Sequence, residues 1–170
     1  AVGAGVSVTS VAEFRASLRA FAGPLLDGLD MTHLLLAGGA VLEALKFRLD
    51  QGGGEDLERV KALSSDLDLF IVTADEAQAT ATFERVFTHL KARLAELPPN
   101  DWTAQQGLAR SLLVVRSRYA VTFMAGHPHR HVQLVLRRHR CAAEVLFNFD
   151  VDSCQWGFDG EKLLCTPSAR

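Results

Sequence analysis

Apolar residues recur along the chain at two different spacings, and each spacing predicts a different kind of element. Over 11–22 they return every three or four positions, which predicts an amphipathic helix with Ser10 as its N-cap. The same spacing over 79–94 predicts a longer helix, while the short apolar runs at 34–36 and 67–72 predict buried strands. The first half of the chain is therefore expected to alternate between helices and strands.

The second half of the chain is richer in hairpin signals. Residues 111–125 carry two β-rich arms around a polar centre, which predicts a hairpin, and 131–136 predicts a further strand. A short helix is expected over 141–147, an alternating strand over 149–156, and an Asp-Gly turn at 159–160. Elements in this order predict an α/β (α+β) fold, with a mixed β-sheet flanked by helices.

Length and composition narrow the class of protein. The chain has 170 residues, of which 48% are hydrophobic and 22% charged, which is typical of one globular domain rather than of a disordered segment. A formal net charge of -2 argues against a protein that is basic throughout. The chain begins AVGAGVSV without methionine, so we expect 1–170 to be a single domain excised from a longer chain.

The cysteines and the hydropathy bear on location. Cys141, Cys154 and Cys165 cannot all pair within the chain and none stands in a CxxC, which favours an intracellular compartment, cytoplasmic or nuclear. No apolar run approaches the roughly 20 residues that a membrane span needs, so no membrane partner is expected.

The densest candidate chemistry lies in the first half of the chain. Asp66 and Asp68 stand at positions i and i+2 of a predicted strand, so their carboxylates point to the same face. Two like charges side by side are costly unless a cation neutralises them, and Mg²⁺ (or Mn²⁺) is the natural partner. Gly38-Gly39 precedes a helix predicted from Ala40, where bare backbone N–H groups approach a phosphate. An exposed strand end and an ordinary turn are the plainer interpretations.

Taken in order, LLLAGGAVLEAL and SDLDLFIV resemble the signature of nucleotidyltransferase-fold proteins, the polymerase-β-like superfamily. That signature is a glycine-containing turn, a helix and an hDhDh strand, and it covers residues 33–72 here. The later VQLVLRRHRCAAEVLFNFDVDSCQWGFDG is similar to nucleotidyltransferase-like domains in large ankyrin-type and viral proteins. The resemblance implies metal-dependent transfer of a nucleoside monophosphate from an NTP to an unidentified hydroxyl acceptor.

The resemblance also assigns roles to single residues. Gly38 and Gly39 match the turn that binds the phosphates of the nucleotide, and Asp66 and Asp68 match the catalytic pair that holds Mg²⁺. Ser65, directly before the acids, is a further nucleotide-binding candidate. These five residues form the part of the predicted site that lies within the signature.

The sequence departs from the family pattern at two points. Gly39 stands where many members have serine, which leaves only backbone donors there. The strand at 131–136, expected to carry a third carboxylate, has Gln133 instead, and an amide is a poor base and a poor metal ligand. Asp150, with Asp152 as its substitute, is therefore the candidate third acid, as a metal ligand and as the base that deprotonates the acceptor.

Without a third acid in place, the chain is instead a catalytically degenerate nucleotidyltransferase-fold module, used for binding or assembly within a larger protein. The acceptor would be a nucleic acid or a protein. Arg116, Arg118 and the basic run 137–140 predict a surface for a triphosphate or a nucleic acid, or simply a solvated segment. The histidine-rich run 126–131 is predicted to be an exposed loop rather than a zinc site.

Overall fold

A computed structural model describes residues 10–46, 65–97, 113–125 and 129–169. In these ranges the α-helices are α1 (Val11–Ala22), α2 (Gly39–Lys46), α3 (Glu76–Glu96) and α4 (Ala142–Leu146). The strands are β1 (Leu34–Ala37), β2 (Leu67–Val72), β3 (Leu113–Arg116), β4 (Ala120–Met124), β5 (Val132–His139), β6 (Trp156–Phe158) and β7 (Leu163–Cys165). Short 3₁₀ turns occupy Gly23–Leu26, Asp152–Cys154 and Pro167–Ala169.

The described strands form one sheet in the order β3-β4-β5-β2-β1-β6-β7. β2 and β5 run parallel, and the other neighbouring pairs in that order are antiparallel. The ladder between β2 and β5 shifts between Phe70 and Ile71, where the partner on β5 changes from Val135 to Arg138. The predicted α+β class, a mixed sheet flanked by helices, is confirmed.

Local signals explain where the long helices begin. The hydroxyl of Ser10 accepts a hydrogen bond from Glu13 N at 3.1 Å and so caps α1, as predicted. Asp75 caps α3 in the same way, since its Oδ1 accepts from Gln78 N at 2.8 Å. The helix expected from Ala40 begins one residue earlier, at Gly39.

The two faces of the sheet are covered differently. Apolar residues of α1, α2 and α3 pack on one face, together with Leu67, Leu69 and Ile71 of β2, in the main core. On the other face α4 packs over β1 in a smaller cluster around Leu35 and Leu146. Because β1 contributes alternate residues to both clusters, all four of its residues are buried.

Several elements of the second half match the sequence prediction. The hairpin is formed by β3 and β4, the short helix is α4, and the Asp-Gly turn joins β6 to β7. In that turn Asp159 Oδ1 accepts from the amides of Glu161 and Lys162 at 2.8 and 2.7 Å, and Gly160 has a φ of 100°. None of the helices in the described ranges has the length and apolar character to cross a bilayer.

Candidate functional site

The turn between β1 and α2 brings backbone amides close to an acidic side chain. Gly38 has a φ of 91°, a conformation that side chains with a Cβ rarely adopt. A Cβ there would lie 3.0 Å from Phe149 Cε1 and 3.9 Å from Asp68 Oδ2. Intrahelical bonding starts with Val41 N donating to Gly38 O at 3.1 Å, so the amides of Gly39 and Ala40 precede the first bond of α2.

Asp68 of β2 and Ser65, which precedes that strand, complete this arrangement. Asp68 is the register partner of Ala37, the residue before the turn. A Cβ on Gly39 would lie 3.2 Å from the hydroxyl oxygen of Ser65. The structure therefore brings together the predicted turn and the start of the predicted acidic strand. We call Gly38, Gly39, Ser65, Asp66 and Asp68 the acid-pair site.

The electrostatics of the acid-pair site favour a cation. Burial, followed by the charge of Asp66, raises the pKa of Asp68 to about 6 from its ordinary value of 3.8. An ionised Asp68 is therefore poorly solvated and faces a second negative charge. A bound cation would relieve both penalties.

The sequence predicts Mg²⁺ here, and its usual ligands can be compared with the side chains present. Mg²⁺ usually binds through one or two carboxylates and completes its shell with water and substrate phosphates. Asp68 lies beside the Gly38 turn, and Asp66 is close enough for its charge to raise the pKa of Asp68. Across the described ranges, no group of three or more His, Cys, Asp or Glu side chains is placed to hold a metal ion.

The residue paired with Asp68 on the neighbouring strand β5 is a glutamine and not an acid. Asp68 is paired with Gln133 across the parallel β2–β5 ladder, and Gln133 is paired with Thr122 of β4. Gln133 Nε2 donates to Thr122 Oγ1 at 3.4 Å. Gln133 thus occupies the neighbouring-strand position at which the resemblance expects a third carboxylate.

The prediction of a strand over 149–156 is wrong. After α4 the chain turns, with Phe149 N donating to Leu146 O at 3.3 Å, and Asp152 begins a 3₁₀ turn. The ring of Phe149 is held between Gly38 and Phe70, with centroids 5.8 Å apart for the two phenylalanines. This packing leaves no extended ladder on which Asp150 and Asp152 share one face.

The two candidate third acids occupy different surroundings. Asp150 is exposed and follows directly after Phe149, whose ring contacts the Gly38 turn. Asp152 is exposed, and its Oδ1 accepts from Gln155 Nε2 at 3.4 Å. Asp150 as metal ligand and base stays a prediction.

Arg130 is buried, although the sequence predicts an exposed loop at this position. The residue is only 6% exposed, and its guanidinium carbon lies 4.2 Å from the centroid of the Phe21 ring. Burial lowers the pKa of Arg130, while the charges of Asp66 and Glu43 favour its charged form. Arg130 therefore belongs to the electrostatic surroundings of the acid-pair site. Residues 126–128 of the histidine-rich run lie outside the described residues.

The arginines of the predicted basic surface lie on different elements and make different contacts. Arg138 lies 3.8 Å from the Glu76 carboxylate of α3, and its Nη1 donates to Ala74 O at 3.4 Å. Arg118 lies over the exposed ring of Tyr119 at the tip of the β3–β4 hairpin. A nucleic-acid or protein acceptor stays a prediction.

The fold and the acid-pair site define an α+β domain with a candidate site for phosphate and metal at the end of β1. The chain belongs to a family described as the Gabija anti-defense 2 family, whose sequence profile matches residues 12–169. Membership of this family tests neither the nucleotidyltransferase resemblance nor the intracellular location. Both stay predictions.

One relative from the curated proteins is an uncharacterized protein of Acanthamoeba polyphaga mimivirus. It is 26% identical over 147 residues, which cover 84% of this chain and 29% of the relative. The chain thus spans less than a third of that relative's length. No solved structure matches the chain.

Proposed function

We propose that this domain binds a nucleoside triphosphate with Mg²⁺ (or Mn²⁺) at the acid-pair site, and that this binding serves the anti-defense role in its family's name. The observation that supports the proposal is the approach of Asp68 to the Gly38 turn, where a Cβ would stand 3.9 Å from the carboxylate oxygen. A metal ion and a phosphate group need donors of these two kinds within a few ångströms of each other.

The charges explain why metal and nucleotide bind together. A triphosphate alone meets the negative charges of Asp66 and Asp68, so its binding is opposed by repulsion. Asp66 and Asp68 would hold a bound Mg²⁺, whose positive charge would offset this repulsion and favour binding of the phosphates. The amides of Gly39 and Ala40 at the start of α2 then face negative charge.

The first test compares two variants that remove the same charge. Asp68→Asn removes one of the two carboxylates that would hold the metal. We expect the affinity for each Mg²⁺–NTP to fall by at least about tenfold, which corresponds to about 1.4 kcal/mol. Glu161→Gln is the control, since Glu161 is exposed in the β6–β7 turn, at the opposite end of β1 from Gly38. Isothermal titration with and without Mg²⁺ measures both.

Two results would contradict the proposal. One is wild-type protein that binds no NTP in the presence of Mg²⁺ or Mn²⁺. The other is an Asp68→Asn variant that binds like the wild type and like Glu161→Gln.

Nucleotidyl transfer is a second candidate function, favoured by the position of Asp150 next to Phe149 at the turn. In this reaction the acceptor oxygen attacks the α-phosphorus, the bond to pyrophosphate breaks, and the acceptor proton passes to the Asp150 carboxylate. Bound Mg²⁺ supplies stabilisation of the charge that develops on the phosphates. Asp66 and Asp68 would hold the ion in place.

Asp150→Asn separates transfer from binding. The variant is expected to abolish release of pyrophosphate while keeping NTP affinity within several-fold, because a base acts in the chemical step. Wild-type protein that binds NTP but releases no pyrophosphate with nucleic-acid or protein acceptors would favour the degenerate module. The same Asp68→Asn and Glu161→Gln pair, expressed in cells that carry the Gabija defence, tests the link to anti-defense.

A further inference from the structure

A row of side chains crosses four strands on the face of the sheet that carries Asp68. The register pairs are Asp68 with Gln133, Gln133 with Thr122, and Thr122 with Val115. Paired residues of adjacent strands project from the same face, and neighbouring strands lie about 4.8 Å apart. The row therefore extends about 14 Å from Asp68 to Val115.

A second row of side chains lies beside the first, two residues further along the strands and on the same face. Leu113 of β3 is paired with Met124 of β4. Alternation along each strand places Leu113 with Val115 and Met124 with Thr122 on the same face. We call Leu113, Val115, Thr122, Met124 and Gln133 the open strip.

The chemistry of the open strip changes with distance from the acids. Its members carry no formal charge, whereas Asp66 and Asp68 at the near end are acidic. Gln133 and Thr122 lie closest to the acids and are half-buried. Within the described residues their mutual hydrogen bond leaves Gln133 Oε1 and the Thr122 proton to bond a ligand.

The far end of the open strip is apolar and accessible. Leu113 is 55% exposed and Val115 is 47% exposed, although both lie in a strand of the sheet. Met124, between them and the acids, is half-buried. A ligand that follows the strip therefore meets charge first, then hydrogen-bonding groups, and last a flat apolar surface.

We propose that the open strip binds the nucleoside part of the triphosphate held at the acid-pair site, with the sugar hydroxyls on Gln133 and Thr122 and the base against Met124 and Val115. This inference rests on the proposed function. A nucleoside triphosphate presents the same order of groups as the strip: charged phosphates, a hydroxyl-bearing sugar, and a flat base. Its extended length is comparable with the row from Asp68 to Val115.

The test compares Mg²⁺–NTP with Mg²⁺–tripolyphosphate, which has the phosphates but no nucleoside. Wild-type protein is expected to bind the NTP at least about tenfold more tightly. Thr122→Val and Gln133→Ala are each expected to reduce NTP affinity about three- to tenfold, since a hydrogen bond contributes about 0.5–1.5 kcal/mol. Neither variant should change the affinity for tripolyphosphate.

Two further variants keep the test decisive if a half-buried substitution disturbs folding. Val115→Asn changes an exposed side chain, and is expected to weaken NTP binding while leaving tripolyphosphate binding intact. Thr80→Val is the matched control for Thr122→Val, because Thr80 lies exposed on α3, which packs against the opposite face.

The outcomes distinguish the inference from the proposed function. Equal affinity of the wild type for NTP and tripolyphosphate, or variants that leave NTP affinity unchanged, would overturn the role of the open strip and leave the acid-pair site standing. Failure of the wild type to bind either ligand would overturn both.

Discussion

The two faces of β2 carry opposite chemistry on alternate residues. Leu67, Leu69 and Ile71 are 0%, 0% and 3% exposed and belong to the main core. Asp68 and Phe70 point the other way, one toward the Gly38 turn and the other against Phe149. Because side chains alternate along a strand, one face of β2 packs in the core and stabilises the fold. The other face carries the candidate binding residue Asp68.

The two faces of β2 also contribute to folding with opposite signs. Burial of the three apolar residues favours folding, since each fully buried aliphatic side chain contributes about 1.5–3 kcal/mol. Burial of Asp68 beside Asp66 opposes folding, because the charged form loses solvation and meets a like charge. Residues that oppose folding in this way are often retained for function.

The largest expected effect is on the core face. Leu69→Ala removes a fully buried side chain and is expected to reduce the free energy of unfolding by about 2–5 kcal/mol. Leu113→Ala makes the same chemical change on the other face, at a half-exposed site, and is expected to cost less than about 1 kcal/mol. Urea unfolding of both variants measures the difference, and similar losses would show that the two faces are equally packed.

A smaller effect is expected at the turn that links the faces. Gly38→Ala places a Cβ 3.0 Å from the Phe149 ring at a φ of 91°, and is expected to cost about 1–3 kcal/mol. Gly28→Ala is the control, because Gly28 also has a positive φ, 74°, but its Cβ would meet Arg93 Nη2 at 3.6 Å, an ordinary contact. Equal stability losses would mean that the Phe149 contact has no separate cost.

The smallest effect has the opposite sign. The pKa of Asp68 is about 6 in the folded chain and near 3.8 in the unfolded chain, so the unfolded state ionises first as pH rises. Stability therefore falls between about pH 4 and 6, and Asp68→Asn escapes that loss. Without Mg²⁺, the variant is expected to be about 1–2 kcal/mol more stable than the wild type at pH 7.5, and nearly equal at pH 4. Thermal unfolding at both pH values measures this, and a variant no more stable at pH 7.5 would contradict it.

Elements fixed by local periodicity were predictable from the sequence. The repeat over 11–22, the cap at Ser10 and the strand at 67–72 all rest on residues close together in the chain, and the structure confirms them. The approach of the Gly38 turn to Asp68 follows from β1 and β2 being neighbours.

Features that depend on distant packing were not predictable. The alternation at 149–152 imitates a strand, but burial of the Phe149 ring against Gly38 forces a turn there. Arg130 lies in a polar run, yet its guanidinium packs over the ring of Phe21, which is far away in the sequence. The pairing of Asp68 with Gln133 requires the parallel register of two strands that are far apart in sequence.

That parallel register has a consequence for how a ligand acts on the folding equilibrium. β2 and β5 meet only after a long stretch of chain has been closed, since Leu67 N donates to His131 O across the ladder. Asp68, Gln133 and the turn therefore come together in the native state and are separate in the unfolded chain. A ligand that needs all three binds the native state alone, and at 100 times its Kd it stabilises that state by about 2.7 kcal/mol. For a chain of this length the melting temperature then rises by roughly 5–10 °C. The melting temperature therefore reports how fully the site is occupied by ligand.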